Sequence, residues 1–272
     1  DRLSQILGDQ FEPIMRAMKA NTDLIGGKHP AKAQMSAIAM SKDPDAISAY
    51  IQGLDGQAKE QFAYKVIDNE QTDTEVLIKL SSDDDQYVRG VVASSDSTPP
   101  EVLMKLSNDE FERVRDIVAE NPSTPPETLI KLSNDKSFMV RRGVAVNPST
   151  PPEVLMKLTN AHQEVYLRIP LAKNRFSPPE ALAKLSNDKS VMVRRGVAKN
   201  PSTPPEVLVR LSSDEFPNVR KLVSENPTYK KYIKQQSNLQ ERQAILAEDF
   251  KTVKLTKVKI KQIIREELKG LV

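Results

Sequence analysis

Val140-Arg141-Arg142-Gly143-Val144-Ala145-Val146-Asn147-Pro148-Ser149-Thr150-Pro151-Pro152-Glu153-Val154-Leu155-Met156-Lys157-Leu158 is the stretch on which the fold turns. Its Thr150-Pro151-Pro152-Glu153 centre recurs as Thr98-Pro99-Pro100-Glu101, Thr124-Pro125-Pro126-Glu127, Ser177-Pro178-Pro179-Glu180 and Thr203-Pro204-Pro205-Glu206, with a weaker copy at Thr72-Asp73-Thr74-Glu75. Successive copies start 26, 26, 26, 27 and 26 residues apart. A fixed short period marks a repeat architecture in which each unit stacks on the next. Six units span Thr72 to Thr228. A seventh, eroded unit fits residues 46–71, where Ile51, Leu54, Phe62, Val66 and Asn69 fall on repeat positions. Such decay is expected of a capping repeat.

Each unit reads as two short helices. Thr or Ser is expected as N-cap, with Pro at the next position, where its missing N–H costs little, and Glu three residues on completing a capping box. Helix A then carries leucines at i, i+3, as in Leu103 and Leu106 or Leu155 and Leu158. After a polar turn, helix B carries Val114, Val118 and Ala119, or Val140, Val144 and Ala145, at helical spacing. Asn121-Pro122, Asn147-Pro148, Asn200-Pro201 and Asn226-Pro227 are expected to stop it, Asn by tolerating a left-handed terminus and Pro by blocking continuation. Units this short cannot bury their own apolar faces. The expected fold is an all-α, right-handed α-solenoid of six to seven two-helix repeats of about 26 residues, with non-repeat helical ends.

The expected domains are an N-terminal helical cap or arm at 1–45, the solenoid at 46–228 and a basic docking or capping segment at 229–272.

Composition excludes several function classes. Cys is absent, which removes disulfides, thiol catalysis, iron–sulfur clusters and Cys-ligated zinc. The two His, His29 and His162, lie too far apart in sequence to suggest a metal site. Gly numbers 9 against 19 Pro, which argues against phosphate-cradling loops and for short, punctuated elements. No apolar run approaches the ~18 residues of a membrane span. Asp1-Arg2-Leu3-Ser4-Gln5 does not read as a secretory signal. The start at Asp1 in place of Met reads as processing, trimming or a chain seen only in part.

The pattern Val-Arg-x-x-Val-Ala-x-Asn-Pro-Ser-Thr-Pro-Pro-Glu-x-Leu-x-x-Leu resembles the leucine-rich repeat variant family, a helical solenoid similar in style to HEAT repeats. The resemblance covers about residues 72–228. It implies a fold and leaves the function open. One branch of that family carries an iron–sulfur module, which a chain without Cys cannot hold.

Charge forms ladders. Arg89, Arg115, Arg141, Arg168, Arg194 and Arg220 occupy one position of helix B. They would serve either as a cationic stripe for phosphates or as a structural ladder paired with Asp83, Asp109, Asp135, Asp188 and Asp214, each six residues earlier. The resemblance to HEAT-like repeats implies Asp–Arg pairing within and between neighbours, and pairing is the favoured reading. Glu101/Lys105, Glu127/Lys131, Glu153/Lys157 and Glu180/Lys184 are expected as i, i+4 pairs. Residues 46–228 hold 23 Lys and Arg against 26 Asp and Glu, so the solenoid lacks the cationic surplus of a dedicated nucleic-acid binder. Arg142, Arg195 and Lys221 follow ladder arginines without an obvious partner, and a solvated face is their favoured reading.

The fourth unit breaks the rule. Ala161 replaces the ladder Asp, a residue is inserted near His162-Gln163-Glu164, and Pro170 interrupts helix B. Drift explains this. So does a local change of curvature shaping a partner site with Tyr166, Arg168, Arg175 and Phe176 nearby. Residues 1–45 balance 6 basic against 6 acidic residues and contain Met15, Met18, Met35 and Met40, which suit an adaptable apolar surface. Residues 229–272 hold 11 basic against 5 acidic residues, so the basic excess of the chain lies there. A helix is expected over Glu241–Phe250, a short strand at Val253-Lys254-Leu255, and a helix capped by Thr256 and ending at Gly270, with Ile260, Ile263, Ile264 and Leu268 as a docking stripe. The string from Leu255 to Leu268 also resembles short tails on proteins of large tailed bacteriophages, virion proteins among them.

No catalytic constellation, cofactor loop or metal-ligand cluster is readable. The Asp83-Asp84-Asp85 run lacks calcium-loop spacing. The expected function is a non-enzymatic protein-interaction scaffold, structural in a phage particle and located in the virion or host cytoplasm, with protein subunits as partners. The alternative is nucleic-acid binding through the Arg ladder and basic tail. A HEAT-like DNA glycosylase would need an aromatic-lined cleft with an acid at its mouth, and no Trp is available to line it.

Overall fold

A computed structural model describes residues 35–36, 38–67, 72–160 and 165–269. Met15, Met18, Asn69, Ala161, His162 and Gly270 lie outside the described residues, as does most of the proposed N-terminal cap. The described chain holds fifteen helices and no strand. They alternate as A and B members of successive pairs: α1 (Pro44–Gln52) with α2 (Gly56–Ile67), α3 (Thr74–Leu80) with α4 (Gln86–Ser94), α5 (Pro100–Leu106) with α6 (Glu112–Glu120), and α7 (Pro126–Leu132) with α8 (Phe138–Val146). Then follow α9 (Pro152–Thr159) with α10 (Val165–Lys173), α11 (Pro179–Leu185) with α12 (Val191–Lys199), and α13 (Pro205–Leu211) with α14 (Pro217–Glu225). The terminal helix α15 runs from Pro227 to Lys269.

The periodic apolar residues meet in one continuous core from Ile38 to Val223. From the second pair on, each A helix contributes two leucines, such as Leu103 and Leu106, and each B helix at least two Val or Leu residues and, in most repeats, an Ala, such as Val114, Val118 and Ala119; the first pair contributes Ile47, Ile51, Phe62 and Val66. Full burial of one such aliphatic side chain stabilises by about 1.5–3 kcal/mol. B helices pack on B helices more closely than A helices pack on A helices. Gly143 and Gly196 permit this approach. A Cβ on Gly143 would sit 2.8 Å from the Cβ of Ala119, and one on Gly196 would sit 2.8 Å from that of Ala172.

The Thr residues are not N-caps. Helix A starts at the second Pro, with the first Pro as cap residue and no side-chain cap bond. The buried Thr instead donates its hydroxyl to a carbonyl in the last turn of the preceding B helix: Thr98 to Val92 at 2.5 Å, Thr150 to Val144 at 2.6 Å and Thr203 to Val197 at 2.6 Å. The Thr hydroxyl therefore satisfies a helix C-terminus, and the proline pair alone sets the extended entry into helix A. Glu falls at the second helical position, where the helix dipole favours it without a capping box.

The asparagines differ from expectation in a similar way. Asn121, Asn147, Asn200 and Asn226 close B helices in extended geometry, with φ between −68° and −65°. Their side chains form a buried ladder. Asn147 Nδ2 donates to the carbonyls of Ala119 and Asn121, both at 2.7 Å, while its Oδ1 accepts from the Ser149 N–H at 2.8 Å. Asn121, Asn174 and Asn200 repeat this pattern against the repeat before each. Each rung satisfies backbone carbonyls that the interface between repeats would otherwise bury unpaired.

The helix-A lysines also link neighbours and do not pair with their own Glu. Lys131 Nζ donates to Ser107 Oγ at 3.0 Å and to Asn108 Oδ1. Lys105, Lys157 and Lys184 reach the preceding turn in the same manner. Those turns present side-chain oxygens one repeat away, which outcompetes the weak exposed i, i+4 pairing.

Helix α10 continues through Pro170 as one nine-residue helix. The tail is likewise one helix, so the strand expected at Val253–Leu255 and the cap expected at Thr256 do not form. Thr256 Oγ1 donates to the Thr252 carbonyl inside the helix at 2.8 Å. Three alternating residues with no partner strand cannot hold a strand against flanking helix formers. Only the start of α15 joins the core, through half-buried Tyr229.

Candidate functional site: the face of the B helices

Arg89 Nε and Nη2 grip Asp109 of the next repeat at 2.6 and 3.0 Å, and Nη1 donates to the Asp83 and Asp84 carbonyls of its own turn. Arg115 holds Asp135 and Arg194 holds Asp214 in the same bidentate way. Arg168 pairs with Asp188 at 2.5 Å. Arg141 and Arg220 bond the carbonyls of their own turns. Arg89 and Arg194 also lie over the rings of Phe111 and Phe216.

Arg89, Arg115 and Arg194 are only 6–9% exposed. Their hydrogen bonds to Asp109, Asp135 and Asp214 raise the guanidinium pKa values despite burial. Burial by itself pushes Asp109, Asp135 and Asp214 up. The Arg and backbone N–H hydrogen bonds outweigh it, and all three lie below the ordinary carboxylate range. These guanidiniums are committed to register between repeats and do not present a phosphate-binding stripe.

The partner-site residues expected from sequence are not brought together. Tyr166 is 71% exposed on α10. Arg168 turns to the ladder. Arg175 and Phe176 form a cation–π pair at 5.5 Å in the loop after α10. Ile260 and Ile264 are exposed on α15. Ile263 and Leu268 lie among the side chains outside the described set.

What Tyr166 does border is a hollow of about 480 Å³ between α8 and α10, lined by Met139, Arg142, Val146, Ile169, Pro170 and Lys173 among others. A second hollow of about 490 Å³ follows, lined by Lys173, Met192, Arg195, Gly196, Lys199 and Leu222. Lys173 lines both, so the two hollows adjoin and make a grooved face across α8, α10, α12 and α14. One B-helix position holds Gly143, Pro170 and Gly196 along this face, and Ile117 and Leu222 in the flanking repeats. The A helices expose an apolar row of Ile78, Met104, Ile130 and Val209.

Arg142 and Arg195 were visible in the sequence as unpartnered cations, but net charge hid their setting. Helices 138–146, 165–173 and 191–199 contain no Asp or Glu, because the acids sit in turns and on helix A. Met139, Lys173, Met192 and Lys199 went unread because exposure of a helical Met or Lys has no signature without the neighbouring repeat.

The geometry defines an α-solenoid of two-helix repeats whose B helices present a grooved face. A model of the leucine rich repeat variant matches residues 192–216. No curated protein matches. A solved structure described as a leucine-rich repeat variant with a novel repetitive protein structural motif is 23% identical, with a TM-score of 0.51, over 81% of this chain and 84% of that chain. The family model thus covers one repeat, and over most of the chain the stack has the fold of a leucine-rich repeat variant structure. Among the described residues no group of three or more His, Cys, Asp or Glu could hold a metal ion. No described helix is long and apolar enough to cross a membrane.

Proposed function

We propose that the chain is a protein-interaction scaffold that seats a partner in the groove along its B helices. The observation that carries this reading is the groove itself, with exposed Met139, Tyr166 and Met192 on a rigid floor of packed helices. Exposed apolar side chains beside hollows gain from burial under a partner, and a backbone already fixed by packing limits the ordering cost. The commitment of the ladder arginines to their aspartates weighs against the nucleic-acid alternative. A partner that co-purifies with the wild-type chain is expected to be lost from a folded Tyr166→Glu/Met192→Glu variant. Capture of the same partner in the same amount would contradict the reading.

A finer proposal is that this scaffold is a structural part of a phage particle. Its support is the resemblance of residues 255–268 to tails of phage proteins, together with the long exposed helix that carries them. The chain should then sediment with purified particles, and particles free of it would remove the proposal. The nucleic-acid reading would return if duplex DNA bound the chain with an affinity falling steeply in salt.

A further inference from the structure

The groove has a charge pattern that specifies its occupant. Lys173, Arg195 and Lys199 stand along its centre, and among the described residues none of them meets a carboxylate. Arg195 Nη1 donates to Met192 Sδ at 3.6 Å. The groove ends differ, with Arg142 3.3 Å from Glu120 and Lys221 3.9 Å from Glu225. The outer cations thus have a carboxylate in reach through exposed pairs, while those in the middle have none among the described residues. They border an apolar floor of Tyr166, Ile169, Pro170, Met192 and Leu222.

Resting on the scaffold reading above, we propose that the groove binds an acidic polypeptide segment bearing apolar side chains, whose carboxylates meet Lys173, Arg195 and Lys199 while its apolar residues enter the two hollows. Four helices packed about 8–10 Å apart give a groove on the order of 25–30 Å long. That length takes about eight or nine extended residues at ~3.3 Å each, or a helix of about 17–20 residues at ~1.5 Å each. Desolvation by the apolar walls strengthens each ion pair relative to one on an open surface. A duplex fits less well, because its rigid, regularly charged backbone leaves the hollows empty.

The test uses the full chain and fluorescence anisotropy of a labelled synthetic 18-residue peptide of Glu and Leu in helical spacing. The controls are the same peptide with Gln for Glu and a labelled 20-base-pair duplex DNA. The Glu peptide is expected to bind at least tenfold more tightly than the Gln peptide at about 0.1 M salt. The Lys173→Glu/Arg195→Glu/Lys199→Glu variant, with an unchanged melting temperature, should erase that difference. The single variant Arg195→Gln should weaken binding severalfold if the triple variant fails to fold. Equal binding of the two peptides, unchanged affinity in a folded variant, or preference for the duplex would each overturn the proposal. If the Glu peptide fails while Tyr166→Glu/Met192→Glu still loses the native partner, the acidic occupant is wrong and the groove reading stands. If neither has an effect, both fall.

Discussion

At the scale of single residues, the interface between repeats is held by polar groups that the hydrophobic pattern does not announce. Asn147 satisfies two buried carbonyls and one N–H. Asn147→Ala is expected to cost about 2–3 kcal/mol in urea unfolding, since it strands buried backbone groups. Asn147→Asp should cost more, because it turns a carboxylate oxygen toward two carbonyls. Asp116 is a different case. It is buried, its Oδ1 has no hydrogen-bond partner among the described residues, and burial, with Glu120 nearby, pushes its pKa up. A raised carboxyl means that ionisation at neutral pH costs folding free energy, and protonation relieves that cost as pH falls. Asp116→Asn should therefore raise the melting temperature at pH 7. The gain should vanish below about pH 4, the ordinary unfolded carboxylate range, and a gain independent of pH would contradict the assignment. Asp109, Asp135 and Asp214 act with the opposite sign. Their lowered values stabilise the fold above the unfolded pKa, and that contribution is lost in acid as the pH falls through the folded values.

At the scale of helices, the phase of each element was legible in the sequence and the chemistry of its ends was not. The Leu and Val periodicity placed both helices of every repeat. Thr98 and its equivalents looked like caps because cap and back-bonding residues share the same chemistry, a short side chain with a hydroxyl. Only the fold shows that the carbonyl six residues earlier is nearer than the helix ahead. The tail was misread at Val253–Leu255 because alternation over three residues fits either period. Glycine separates two kinds of contact between B helices. Gly196→Ala would drive a methyl against the Ala172 methyl and is expected to destabilise by about 1–3 kcal/mol. Gly90→Ala meets only the movable Cδ1 of Ile117, at 3.3 Å. Its higher helix propensity should offset that contact and leave stability within about 1 kcal/mol. Equal losses at both positions, measured by denaturant unfolding, would show that close B-helix approach does not set the spacing.

At the scale of the whole molecule, the stack is a one-dimensional chain of interfaces. The same periodicity places the Arg–Asp ladder, the Asn ladder and the Lys-to-turn bonds at every interface with few exceptions. The site was harder to read than the fold, because it is a difference between repeats. Three acid-free B helices lie side by side, and the body's acidic residues, which dominate its net charge, sit elsewhere. Tyr166, Met139 and Met192 belong to one surface although 53 residues separate the first and last in sequence. The most direct measurement is a photo-crosslinking scan of the full chain with its native partner bound. A crosslinking side chain would be placed in turn at Met139, Tyr166 and Met192 on the B helices, and at Ile78, Met104 and Ile130 on the A helices. Crosslinks to protein concentrated at the three B-helix positions are the expected result. Crosslinks concentrated on the A helices, or on α15 alone, would contradict a partner seated in the groove.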